Sequence, residues 1–145
     1  MNTTTAVDQH IVEKVRNLNS STYILKFSRG GLEFTPGQHL NVGKKGSGQH
    51  REYSIYSGSD SDSIELLIKE VDDGMVSNQL RNLKRGEELS VKGPYGFFLT
   101  DIRPEKGEKL LFIASGTGIA PFHSYIRSNP GANYRIIHGI RDMDE

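Results

Sequence analysis

Hydrophobic and polar residues alternate along the first hundred residues in short stretches separated by turn-forming residues. Six strands are predicted from this alternation, at residues 9–16, 23–27, 39–42, 51–57, 64–71 and 87–92. One stretch changes period, since Val76, Leu80 and Leu83 recur at helical spacing and predict a helix over residues 75–83. Six short strands with a single helix favour a small antiparallel barrel that ends near Leu99.

The pattern changes beyond a polar segment at residues 100–107, which has the composition of a linker. A nearly continuous apolar run at residues 109–114 is typical of a strand covered on both faces. Ile119, Phe122 and Ile126 then mark a helical stripe, and residues 134–138 resemble a second buried strand. This β-α-β order predicts the start of a parallel α/β domain.

The predicted fold class is therefore mainly β followed by α/β. A six-stranded antiparallel barrel is expected at residues 1–102, beginning with a frayed polar tail at residues 1–6. An incomplete parallel α/β domain is expected at residues 103–145.

Composition and charge exclude several function classes. The chain has 18 basic residues (lysine plus arginine) and 18 acidic residues (aspartate plus glutamate). Proteins that bind nucleic acids or anionic membranes normally carry a basic excess, so neither kind of partner is expected. No apolar run approaches the roughly 20 residues that span a bilayer, so membrane insertion is not expected. No segment resembles a secretory signal, so a cytoplasmic location is expected. Without cysteine, disulfides and cysteine-held iron–sulfur clusters are excluded. The five scattered histidines predict no metal site.

The first candidate motif is Arg-Glu-Tyr-Ser at residues 51–54. Strand alternation places Arg51 and Tyr53 on one face, where a guanidinium binds phosphate and a phenol ring offers a stacking surface. Ser54 adds a small hydroxyl group at the edge of the ring. An ordinary half-buried strand with a surface arginine would show the same residues, so the ligand interpretation depends on the motifs that follow.

The second motif is Gly74-Met75-Val76-Ser77, between a predicted strand and the predicted helix. The unpaired N–H groups of a first helical turn, together with the helix dipole, favour an anion there. The Ser77 hydroxyl is expected to add a bond to a phosphate oxygen. A plain helix start with a turn glycine is the alternative interpretation.

The third motif contains Gly116, Thr117, Gly118 and Pro121, and it follows a buried strand and opens a helix. Glycines there let the main chain approach a phosphate, and proline is tolerated early in a helix. The motif is not the standard dinucleotide fingerprint, and a tight strand-to-helix turn is the alternative. Arg141, after the next strand, would face the same crevice and bind a ribose phosphate, or it is an ordinary surface arginine.

Taken in order, Arg51–Ser54, Gly74–Ser77, Gly93-Pro94-Tyr95-Gly96 and the segment 116–121 resemble the ferredoxin–NADP reductase superfamily, most closely its bacterial ferredoxin–NADP reductases. The resemblance implies that the barrel binds FAD. It places Arg51 on the pyrophosphate, Tyr53 against the isoalloxazine and Ser54 near the reactive N5, so that Tyr53 and Ser54 are the residues nearest the chemistry.

The resemblance also implies the remaining contacts. Gly74, Met75, Val76 and Ser77 would form a second flavin-phosphate contact, with the backbone amides of Val76 and Ser77 as donors. The turn at residues 116–121 would hold NADP, and Arg141 would contact its 2′-phosphate.

The function implied is an FAD-dependent oxidoreductase that passes electrons between NADPH and a carrier such as ferredoxin or flavodoxin. Two alternatives stay open: a non-catalytic flavin-binding module, and the reductase component of an oxygenase or cytochrome system. Members of the superfamily continue for roughly another hundred residues of α/β sheet. The short second domain is therefore expected to leave hydrophobic faces open, as in a fragment, a truncated gene product or a half that needs a partner.

Overall fold

The computed structural model describes residues 9–143, so the tail predicted at residues 1–6 lies outside the described residues. The chain forms eight strands and two helices within this range: β1 (His10–Asn17), β2 (Thr22–Ser28), β3 (His39–Lys44), β4 (Arg51–Ser54), β5 (Ser63–Lys69), α1 (Met75–Arg81), β6 (Glu88–Tyr95), β7 (Lys109–Ser115), α2 (Ala120–Ser128) and β8 (Asn133–Gly139). Short 3-10 turns occur at Pro104–Lys106 and Gly116–Ile119. Neither helix has the length and apolarity needed to cross a lipid bilayer.

The first six strands form one antiparallel sheet in the order β4-β3-β6-β1-β2-β5. Its two outer strands meet, because Ile55 forms a bridge with Leu66 and the Tyr56 amide donates to the Glu65 carbonyl at 2.8 Å. These contacts close the sheet into the predicted barrel. They also explain why the strand predicted at residues 51–57 ends at Ser54, since the chain turns there from β3 towards β5.

The interior of the barrel is filled by the inward-facing residues of its strands. Tyr23, Leu25 and Phe27 share a face of β2, in keeping with the alternation at residues 23–27, and each is fully buried. Leu80 and Leu83 from the α1 region cover the core at one end, although the helix ends at Arg81, two residues earlier than predicted. Fully burying such a side chain contributes about 1.5–3 kcal/mol. This core therefore provides a stable base for the residues on its rim.

The second sheet consists of β7 and β8, which pair in parallel from Lys109 opposite Asn133 to Ser115 opposite Gly139. The predicted β-α-β unit is confirmed, because α2 connects these strands and packs Phe122 and Tyr125 against Phe112. Among the described residues β7 is covered on one face only. The apolar run therefore does not mark a strand covered on both faces, whereas the expectation that the short second domain leaves a hydrophobic face open is confirmed.

Alternate residues of the two strands define an open sheet face made of Leu111, Ile113 and Ile137. These side chains are 57%, 66% and 54% exposed, respectively. In the described part of the chain a single helix packs on this sheet, and it covers the opposite face. The apolar composition of β7 and β8 is compatible with two covering layers, but residues 9–143 supply only one.

We expect the open sheet face to drive self-association, because contiguous exposed apolar side chains lower their free energy by leaving water. Since a buried isoleucine contributes about 1.5–3 kcal/mol, Ile113→Lys should lower the association constant at least about tenfold. Sedimentation velocity over a concentration series measures this constant. Met143→Lys, at an exposed apolar residue outside the face, is the matched control. A monomeric wild-type chain at every concentration would contradict the prediction.

Candidate functional site

A groove of about 320 Å³ lies on the rim of the barrel and is called the first groove. It brings together the motif on β4 and the start of α1, and its walls consist of Arg51, Glu52, Tyr53, Lys69, Val71, Gly74, Met75, Val76 and Ser77. Closure of the barrel at Ile55 and Leu66 explains this proximity, because β5 runs beside the end of β4 and leads directly to α1. Two motifs separated in sequence therefore share one surface.

Arg51 and Tyr53 lie on the same side of β4, as strand alternation predicted, and both line the first groove. The Tyr53 ring is half-buried and packs partly on the barrel core. Burial raises the pKa of the Tyr53 phenol, and the nearby positive charge of Arg51 lowers it in part. The Arg51 guanidinium is exposed and donates from Nη1 to the His50 carbonyl at 2.9 Å. A neutral ring beside an accessible cation suits an aromatic ligand that carries phosphate.

Ser54 does not line the first groove. As the next residue of the strand, it points to the other side of β4 and pairs with His39 across the sheet. Of the two residues predicted nearest the chemistry, the structure therefore places only Tyr53 in the groove, and the role of Ser54 stays a prediction.

The start of α1 forms the opposite wall. Gly74 caps the helix without a side-chain bond, so the first-turn amides of Met75, Val76 and Ser77 are available at the groove. The Ser77 hydroxyl is buried; it accepts from the Val71 amide at 3.2 Å and lies 3.4 Å from the Gly74 carbonyl, to which it donates. It therefore stabilises the loop. The backbone amides predicted to bind an anion are therefore better placed to do so than the Ser77 hydroxyl, which is already used within the loop.

Two side chains that sequence analysis did not identify hold α1 in place. Arg81 forms an ion pair with Glu70, donates to the Ser20 carbonyl at 2.8 Å and lies over the Tyr23 ring at 5.6 Å. The Tyr23 hydroxyl donates to the Ser77 carbonyl at 2.6 Å. Burial raises the pKa of this phenol strongly, so it stays a neutral donor. Because the partners lie far apart in sequence, no local pattern could have revealed this support.

A second groove, of about 230 Å³, lies between the barrel and the β7–α2–β8 unit and is called the second groove. It is lined by Leu18, Asn19, Thr22, Tyr56, Leu67, Lys69, Gly116, Thr117, Ile119 and His138. Gly116 adopts a left-handed conformation with φ 51°, which glycine tolerates best. A methyl group built at Gly116 or Gly118 would meet no atom within 4 Å. The main chain of this turn is thus open to close approach by a ligand.

The other predicted residues of this region are placed differently. Pro121 is buried in the first turn of α2, where it shapes the helix start. Arg141 follows the end of β8 and is exposed, and it lines neither groove. His138 from β8 lines the second groove instead, with Nε2 2.9 Å from the Gly116 carbonyl oxygen. The structure therefore brings Gly116 and Thr117 to the second groove, whereas Gly118, Pro121 and Arg141 do not line it.

Lys69 is the residue that lines both grooves, and sequence analysis did not single it out. It ends β5, half-buried, on the same side as Leu67. The one sequence feature that could have pointed to Lys69 is its position at the end of the strand before the Gly74 motif. An ordinary solvated surface lysine would occupy the same position. Lys69 therefore lies where the two grooves adjoin.

Apolar side chains remain exposed along both grooves. Val71 and Met75 in the first groove are 61% and 56% exposed, and Leu18 in the second groove is 46% exposed. Exposed apolar residues at the walls of a groove are typical of ligand sites. Together the two grooves thus offer apolar walls, an aromatic ring, two cations, the Glu52 carboxylate and first-turn backbone donors. No cluster of potential metal ligands was found among the described residues.

Comparisons with known proteins agree with this geometry. The family described as the oxidoreductase FAD-binding domain matches residues 9–99. The chain is 37% identical over 141 residues to the toluate 1,2-dioxygenase electron transfer component of Pseudomonas putida, covering 91% of this chain and 41% of that protein. It is 33% identical over 144 residues to ferredoxin–NADP reductase of Azotobacter vinelandii, covering 92% of this chain and 55% of that protein. The chain thus spans about half the length of these curated relatives.

Solved structures show the same fold. Ferredoxin-NADP+ reductase from Plasmodium falciparum superposes with a TM-score of 0.81 at 24% identity, covering 94% of this chain and 60% of that structure. A cytochrome P450 reductase from Amycolatopsis superposes with a TM-score of 0.80 at 26% identity, covering 94% and 44%. The predicted fold class, mainly β followed by α/β, is therefore confirmed. On the family match and the shared fold together, the chain belongs to the oxidoreductase FAD-binding domain family, within the ferredoxin–NADP reductase superfamily.

Proposed function

We propose that the first groove binds FAD and that the chain forms the flavin-binding part of an NADPH-dependent reductase. Residues 1–102 would constitute the FAD-binding barrel, and residues 103–145 would begin the NAD(P)-binding domain. The observation that carries this proposal is the first groove itself, in which Arg51, Tyr53 and the start of α1 face one space.

The residues of the groove fit the chemical parts of FAD. A pyrophosphate needs cations and N–H donors, which Arg51 and the amides of Val76 and Ser77 supply. An isoalloxazine needs an aromatic surface, which the half-buried ring of Tyr53 supplies. Gly74 and Met75 complete the wall beside the phosphates. FAD, when bound, supplies the exchange between two-electron and one-electron transfer.

The protein residues would act by binding and orienting. Tyr53 stays a neutral phenol because burial raises its pKa, so it offers its ring without adding negative charge. Ser54 is proposed to lie near the flavin N5 on family resemblance, although it does not line the groove. The open turn with Gly116, Thr117 and Gly118 is proposed to receive NADP, with Pro121 fixing the helix behind it and Arg141 as the ligand of the 2′-phosphate.

The proposed electron acceptor is ferredoxin or flavodoxin. Relatives named as ferredoxin–NADP reductase from Azotobacter vinelandii and flavodoxin/ferredoxin–NADP reductase from Shigella flexneri support this choice, at 33% and 34% identity. A second candidate is the reductase component of an oxygenase, supported by the 37% identity to the toluate dioxygenase component. Assays with each acceptor class distinguish the two.

The test is reconstitution of the purified chain with FAD. We expect flavin absorption bands to comigrate with the protein on gel filtration, and NADPH to reduce an artificial acceptor such as ferricyanide. Bound flavin without NADPH oxidation would identify a non-catalytic flavin-binding module. A chain without visible absorption after thorough reconstitution would refute the proposal.

A further inference from the structure

We propose that His123 is a positioning residue, which sets the width of the second groove and thereby the approach of the nicotinamide to the flavin. This inference rests on the function proposed above. It concerns the contact between α2 and the barrel segment at residues 56–59, called the seam.

The centre of the seam is a stack between His123 and Tyr56. The ring centroids are 3.6 Å apart and the planes differ by 3°. His123 Nδ1 also lies 2.6 Å from the Tyr56 carbonyl oxygen. Because a carbonyl only accepts, Nδ1 must carry the proton and donate. One side chain therefore contacts both the ring and the backbone of Tyr56.

Two serines extend the seam along α2. The buried Ser124 donates from Oγ to the Ser57 carbonyl at 2.7 Å. One turn later, Ser128 Oγ accepts from the Ser59 amide at 2.8 Å. The helix is therefore fixed to the segment that follows β4 by three successive hydrogen bonds, including the bond from His123.

At Gly58 the helix lies very close to the barrel segment. A methyl group at Gly58 would lie 3.2 Å from Arg127 Cβ and 3.3 Å from the Arg127 carbonyl carbon. Both distances are tighter than ordinary contacts. Gly58 thus permits a close approach that a larger residue would prevent.

The same contacts determine the shape of the second groove. Tyr56 lines that groove from the barrel side, and Gly116, Thr117 and Ile119 line it from the other side. The helix α2 begins directly after these three residues. Since His123 lies one turn into α2 and stacks on Tyr56, it fixes both walls relative to each other.

This geometry predicts a selective effect on the reaction. Reacting groups must be held at near contact, and a displacement of about 1 Å can lower a rate about a hundredfold. None of the residues that line the first groove belongs to α2 or to residues 56–59. Weakening the seam should therefore alter the step that depends on nicotinamide and leave FAD affinity unchanged.

The experiment compares His123→Ala, His123→Phe and Gly58→Ala in the FAD-loaded chain. Three quantities are measured: FAD affinity by fluorescence titration, the flavin difference spectrum induced by NADP+, and the anaerobic flavin reduction rate at saturating NADPH. Thermal unfolding reports stability. Arg85→Gln, at an exposed arginine outside the seam and outside both grooves, is the matched control.

We expect His123→Ala and Gly58→Ala to lower the saturated reduction rate about tenfold or more and to diminish the difference spectrum, with FAD affinity unchanged. His123→Phe should restore most of the rate, because a ring can still stack on Tyr56. If His123→Ala does not fold, Gly58→Ala and His123→Phe decide the outcome. An unchanged rate, or an equal loss of FAD affinity, would overturn the inference. A wild-type chain that binds FAD but is not reduced by NADPH would also overturn the inference. A chain that fails to bind FAD would instead overturn the proposed function.

Discussion

Replacing Arg51 with alanine is expected to weaken FAD binding about a hundredfold. A charge-assisted hydrogen bond to phosphate contributes about 1.5–3 kcal/mol, and each 1.4 kcal/mol corresponds to about a tenfold change in affinity. The guanidinium is exposed and contacts the adjacent His50 carbonyl, so its removal leaves the barrel core intact. Titration of the apo chain with FAD, followed by flavin fluorescence, measures the change.

Two further variants make the Arg51 result specific. Arg51→Lys keeps the charge but loses the bidentate fork, so it should recover only part of the affinity. Arg85→Ala removes an exposed arginine outside both grooves and should bind FAD as the wild type does. If Arg51→Ala retained full affinity while the wild type bound FAD, the pyrophosphate would have to lie elsewhere, and the assignment of the first groove would be wrong.

The barrel could be predicted from sequence because its determinants are local. Successive side chains of a strand point to opposite faces, and Tyr23, Leu25 and Phe27 share the inward face of β2 within five positions. The shared face of Arg51 and Tyr53 follows from the same periodicity. Local patterns are thus sufficient wherever one element determines which side chains share a face.

Other features depend on contacts between distant segments. The Ser77 hydroxyl belonged to a phosphate-binding motif by sequence, yet in the fold it bonds with Val71 and Gly74. The stack of His123 on Tyr56 joins residues 67 positions apart. The exposure of Ile113 depends on how many layers cover the sheet, which the apolar run alone does not determine. Such features can be seen only once the three-dimensional fold brings the distant segments together.

Replacing Gly74 with alanine is expected to destabilise the protein by about 3 kcal/mol and to weaken FAD binding. The new methyl carbon would lie 2.8 Å from the Val71 carbonyl oxygen and 2.9 Å from Ser77 Oγ, closer than carbon atoms normally approach these groups. Overpacking of this kind costs about 1–3 kcal/mol, occasionally more, and the nearest atom belongs to the backbone, which cannot rotate away. The Gly74 backbone, at φ −76° and ψ 102°, suits alanine, so the cost is steric alone.

The affected contacts connect stability to ligand binding. To relieve the clash, the loop must move away from α1, which breaks the bond between the Val71 amide and Ser77 and shifts the first-turn amides. Urea unfolding with and without FAD separates the two effects, because a bound ligand at free concentration c raises the free energy of unfolding by RT ln(1 + c/Kd), which grows with its affinity. Gly131→Ala is the matched control, since a methyl group there meets no atom within 4 Å. If Gly74→Ala matched the wild type in both measurements, the start of α1 would tolerate displacement, and its amides could not form a fixed phosphate site.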